Sequence, residues 1–93
     1  MSLAGAAKAA LVWGFENPRI TLAAARENVV YRLDAGEIYA LRLHRVGYRS
    51  AEELRHELEW IGAMAEAGLP VPRPVALPSG ALVTEVEGQL VSV

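Results

Sequence analysis

Two side chains in this sequence invite a joint chemical reading, Arg42 and Glu57. Arg42 ends the run Tyr39-Ala40-Leu41-Arg42, whose alternation sets Arg42 and Ala40 on one face of a strand and Tyr39 and Leu41 on the other. Glu57 falls in a helical pattern, between Ile61 and Met64 on the edge of the apolar arc when residues are spaced at 100°. A carboxylate in that position calls for a cationic partner, because an unpaired buried charge is costly. Arg42, on the strand leading into the helix, is the nearest candidate by topology. A guanidinium grips a carboxylate bidentately, so Arg42 and Glu57 would hold each other. The plain alternative for Glu57 is a solvated residue at the helix edge.

The other polar residues take blander readings. His56-Glu57 starts like H-E-x-x-H, but Trp60 stands where the second histidine would be, so the zinc-protease pattern fails. His44 and His56 lie on different elements and the chain has no cysteine, so a metal site is not expected. Trp60 and Met64 are expected to pack rather than to offer a stacking surface. Arg45, Tyr48 and Arg49 make a basic, aromatic loop that could touch nucleic acid, with a solvated loop as the plainer choice.

The elements that must position these residues follow from local signals. Leu3 to Trp13 is alanine-rich and helical, with Gly14 as its end and Asn17-Pro18 as a turn. Ile20 to Ala24 is a short strand, and Asn28 to Leu33 a stronger one, rich in β-branched and aromatic residues. Asp34-Ala35-Gly36 supplies a three-residue hairpin loop, after which Glu37 to Arg45 resumes as a strand. Ser50-Ala51-Glu52-Glu53 is a capping box opening a helix that runs to about Ala67, where Gly68 and Pro70 stop it. Leu54, Leu58, Ile61 and Ala65 form its core-facing stripe. Pro70 to Pro74 must be extended. Val75 to Leu77, Ala81 to Val86 and Leu90 to Val93 read as three more strands. The class is α+β, with a mostly antiparallel sheet, one long helix and an N-terminal helix.

Composition bounds the function. At 93 residues the chain is expected to be one domain, and an apolar content of 53% is high for that size. With a mean hydropathy of +0.21, it is expected to bury surface against something outside itself. A net charge of −2 and a pI near 5.6 argue against a dedicated nucleic-acid partner. Without cysteine the chain has no disulfides, thiol catalysis or thiolate metal sites, which suits a cytoplasmic protein. Lys8 interrupts the N-terminal apolar run, and no run approaches the ~20 residues of a membrane span, so neither export nor a membrane is expected.

Four segments then carry a resemblance: Arg26 to Leu33, Tyr39 to Arg45, Glu57 to Trp60, and Ala67-Gly68-Leu69-Pro70-Val71-Pro72-Arg73-Pro74. In this order and spacing the chain, over about residues 11 to 93, resembles the N-terminal lobe of the aminoglycoside phosphotransferase and choline/homoserine kinase family. The resemblance implies a protein-kinase-like N-lobe with a five-stranded sheet that binds ATP. It implies that the turn at Arg26, Glu27 and Asn28 covers the ATP phosphates through backbone amides, and that Ala40 roofs the adenine. It also implies that Arg42 stands at the phosphate-gripping position, where most relatives have lysine, and that Glu57 orients it. Arginine in place of lysine departs from the usual pattern, so the phosphate grip is a weaker expectation than the ion pair.

Asp34 is the only aspartate and is expected in a turn, so the catalytic and Mg²⁺-binding aspartates of phosphoryl transfer must come from a C-terminal lobe absent from this chain. That lobe would also bind the small-molecule substrate, and the 93 residues alone are expected to be inactive. Two other readings stand beside this one: a non-catalytic interaction module with the same fold, and a small nucleic-acid binder. Leu90 to Val93, with no charge or proline to blunt its edge, further suggests self-association of the isolated lobe by strand pairing or through the cleft face.

Overall fold

The computed structural model describes residues 3–25, 29–44, 47 and 50–93. The order is α1 (Leu3–Trp13), β1 (Arg19–Ala25), β2 (Val29–Ala35), β3 (Glu37–Leu43), α2 (Ala51–Glu66), β4 (Val83–Val86) and β5 (Gln89–Ser92). The strands form one five-stranded sheet in the order β1-β2-β3-β5-β4, and every pairing is antiparallel. The expected α+β class with a five-stranded sheet and two helices is what the chain adopts.

Alternation decides which face is core. Tyr31 and Leu33 of β2, Leu41 and Leu43 of β3 and Val91 of β5 are all buried. They meet Ala6, Ala9, Ala10 and Trp13 of α1 in one cluster. Small alanines at i, i+3 and i+4 let the helix backbone lie close to the sheet, and Trp13 fills the end of the seam. Its indole Nε1 donates to the Val75 carbonyl at 2.8 Å, which ties α1 to the extended segment after α2. The opposite face carries Val30, Ala40 and Arg42, and α1 leaves it uncovered.

The β2–β3 hairpin is centred one residue later than expected. Asp34 pairs with Ile38 and Ala35 with Glu37, so Gly36 alone separates the strands. Its φ of +83° is the left-handed conformation that glycine adopts without strain. Asp34 is therefore a strand residue, held by Arg32 at 3.1 Å, and not a turn residue. The β4–β5 turn uses Glu87 and Gly88, both with positive φ (52° and 78°), between the paired residues Val86 and Gln89. Two successive positive-φ residues match the twist of the flanking strands.

The α2 capping box forms as expected. Glu53 N–H donates to Ser50 Oγ at 3.1 Å, and Ser50 N–H donates to the Glu53 carboxylate at 2.9 Å. The helix stops at Glu66, with Ala67 as its cap. Only Leu54 of the apolar stripe is fully buried, while Leu58, Ile61 and Ala65 are half-buried. Trp60 is 68% exposed, against the expectation that it packs.

Two strand assignments are corrected. Val75 to Leu77 is not a strand, because its amides bond one at a time, Val75 to the Val93 carbonyl and Leu77 to that of Ala81. The last strand is not an edge. β5 lies between β3 and β4, with Ser92 paired to Arg42 on one side and Val83 on the other, so the edges are β1 and β4. Long-range pairing saturates β5 and removes the strand-pairing route to self-association expected for it. Among the described residues, no helix is long and apolar enough to cross a membrane.

Candidate functional site

The uncovered sheet face becomes a cleft because α2 and the segment after it stand beside it. Residues directly opposed in an antiparallel pair share a face, so the pairs Val30–Arg42 and Arg32–Ala40, together with Ser92 opposite Arg42, set one surface. That surface floors a cavity of about 700 Å³. Leu58 and Ile61 of α2 form part of its wall, and Pro72, Pro74 and Val75 form another part. The wall is thus mainly apolar with a few polar groups, the usual make-up of a small-molecule site.

The prolines explain why the wall is firm. They fix φ and hold the preceding residues extended, so the segment from α2 to β4 crosses the cleft without regular structure of its own. Two bonds anchor this segment: Trp13 donates to the Val75 carbonyl, and the Val75 amide donates to Val93. Arg73 also lines the cavity and forms an ion pair with Glu66 at the end of α2.

Charge in the cleft comes from arginines. Arg32 bonds Asp34 through both Nε and Nη2, at 3.2 and 3.1 Å, and is largely neutralised. Arg42 is exposed on the cleft face beside Ala40, Val30 and Ser92. Glu57 is exposed on α2 and does not line the cavity, which takes Leu58 and Ile61 from that helix instead. The ion pairs among the described residues are Lys8–Glu87, Arg32–Asp34, Arg55–Glu59 and Arg73–Glu66, and none joins Arg42 to Glu57. The expected pair does not form: both side chains reach water, so burial does not force Arg42 and Glu57 on each other.

Of the residues expected at the site, the fold therefore brings Ala40 and Arg42 together and leaves Glu57 outside the cavity. Arg26, Glu27 and Asn28 lie outside the described residues. Ser92 was missed by sequence reasoning, although a lone hydroxyl in the apolar run Leu90 to Val93 was a usable signal. It is 1% exposed, lines the cavity and hydrogen-bonds His44 at 2.7 Å. Tyr39, at the rim, donates to Glu37 at 3.2 Å. That bond, then partial burial and the Glu37 charge, hold its phenol above the ordinary tyrosine range. Among the described residues, no cluster of three His, Asp or Glu side chains could hold a metal ion.

A five-stranded antiparallel sheet with a helix under one face, and a second helix and a proline-rich wall beside an open cleft, is the N-lobe of the kinase-like fold. The family model for the phosphotransferase enzyme family matches residues 19–93, and the chain belongs to that family. Among solved structures it is similar to the structure of the microcompartment-associated aminopropanol kinase, with 26% identity and a TM-score of 0.84. The match covers 98% of this chain and 30% of that one, so the chain spans less than a third of that kinase. Comparison with curated proteins gave no match. The resemblance carried by the four sequence segments therefore holds for family and fold.

Proposed function

We propose that this chain is the ATP-binding lobe of a longer, ATP-dependent phosphotransferase acting on an alcohol group of a small molecule. The observation that carries the reading is the cleft: an apolar slot with Ala40 on its floor for a flat base, and the Arg42 cation at the same surface for a phosphate. Family membership and the likeness to an aminopropanol kinase support it. The residues present fit a nucleoside polyphosphate. The described residues hold no donor cluster that fits Mg²⁺, and on this reading its ligands come from the remainder of the proposed enzyme. The acceptor is likewise bound there. On this reading the 93 residues alone bind ATP weakly and transfer nothing.

The test has two parts. The reading frame should continue past Val93 into an H-G-D-x-x-x-x-N stretch, and a stop codon there favours the non-catalytic module. In the translated protein, Arg42→Ala should weaken ATP about 10- to 100-fold, the worth of one charge-assisted hydrogen bond. The melting temperature should hardly move, because Arg42 is exposed. Unchanged ATP affinity would remove Arg42 from the site. The isolated lobe should also self-associate through its apolar cleft face, and light scattering showing a monomer at high micromolar concentration would contradict that.

A further inference from the structure

The inner wall of the cleft holds a buried polar pair that the reading above does not use. His44 is 9% exposed and Ser92 1%, and His44 Nε2 lies 2.7 Å from Ser92 Oγ. The backbone around the pair is fixed. Ser92 is paired on both sides of its strand, the His44 amide donates to Leu90, and the His44 carbonyl accepts from the Gln89 side chain at 3.1 Å. Neither backbone can shift without breaking these bonds. Ser92 shares a face with Arg42 and lines the cavity.

A serine hydroxyl has one proton to donate and two lone pairs to offer. The 2.7 Å separation is a hydrogen bond in which either the hydroxyl or a protonated Nε2 can be the donor. The tautomer assigned here is the one with Nε2 as acceptor, which makes Ser92 Oγ the donor. Ser92 then spends its proton on His44 and presents only lone pairs to the cavity. A ligand that reaches this wall must bring a donor. A ligand carbonyl there would face the Ser92 lone pairs with no hydrogen between them, and a desolvated, unmatched acceptor is penalised more than a good bond is rewarded.

Resting on the nucleotide reading of the cleft, we infer that His44 is a positioning residue that locks Ser92 as an acceptor. Ser92 is in turn a specificity determinant, selecting a base with an amino group on its inner edge, as in adenine, over one with a carbonyl, as in hypoxanthine. ATP and ITP differ at that edge in donor and acceptor character while keeping nearly the same shape and the same triphosphate. They therefore separate the wall's chemistry from the phosphate grip.

The experiment is an equilibrium titration of the whole protein, as translated from its reading frame, with ATP and with ITP. The unmodified protein should prefer ATP about tenfold, the size of one net hydrogen bond plus a mismatch. Ser92→Ala should bring the ratio close to one. His44→Ala, which frees the hydroxyl to turn and donate to a carbonyl, should bring it to one or below. Ser92→Thr and His44→Gln, which keep the hydroxyl and its acceptor, should preserve the preference. They also guard against simple misfolding. A merely structural role would lower both affinities together and leave the ratio intact in all four variants, which overturns the inference. Equal affinity of the unmodified protein for the two nucleotides overturns it as well, while sparing the nucleotide reading. Failure to bind either one overturns both.

Discussion

Trp13 joins the core to the cleft wall, and the two parts of its role can be separated by substitution. The side chain is 6% exposed, and its Nε1–H donates to the Val75 carbonyl at 2.8 Å. Trp13→Phe keeps most of the ring surface but leaves that carbonyl without its donor. Such an orphaned acceptor costs about 1–3 kcal/mol, and the smaller ring adds roughly 1 kcal/mol for the space it fails to fill. Trp13→Ala loses the packing too, and aromatic-to-alanine changes in cores cost about 3–5 kcal/mol. A domain of this length has on the order of 5–14 kcal/mol of stability in total, so the alanine variant sits near the edge of folding. The assay is urea denaturation followed by circular dichroism, because removing Trp13 leaves the exposed Trp60 as the one tryptophan. The Phe variant should fall between wild type and the Ala variant, with an unchanged denaturant slope. If Trp13→Phe matches wild type, the bond to Val75 contributes nothing. The anchoring of the wall by α1 would then be refuted.

Two smaller perturbations test local features. Ser50→Ala removes one half of the α2 capping box and should cost about 1 kcal/mol in the same urea assay; a loss below 0.3 kcal/mol, well short of about 1 kcal/mol, would show that the cap is redundant. Tyr39 should ionise above the ordinary tyrosine range in an ultraviolet titration, and Glu37→Gln should bring it back down. The raised folded-state pKa favours the protonated phenol, so the associated stability is complete below the unfolded tyrosine pKa of about 10 and is lost as pH rises through the higher folded value. Identical titrations for the two proteins would remove Glu37 as the cause.

Where the signal is local, the sequence by itself determined the outcome. The alanine-rich run became α1 and the Ser50–Glu53 box opened α2, because capping and propensity act within one turn. The faces of β3 followed from alternation, since a strand has period two whatever it pairs with, and that parity alone put Ala40 and Arg42 on the same surface. The four motifs in register identified the family.

What the tertiary structure decided is everything that depends on strand order and burial. β5 reads as an open edge in sequence, yet it became an interior strand because β3 and β4 both reached it. Val75 to Leu77 has strand composition but found no continuous partner, so it became the cleft wall instead. The charge pair of Arg42 and Glu57 rested on an assumed depth of burial for Glu57, and burial belongs to the packed helix, not to its angular pattern. The His44–Ser92 contact joins a residue just past the end of β3 to one on β5, far apart in the chain, so it exists only once the sheet has assembled. Local rules place a side chain on a face; only packing decides what that face meets.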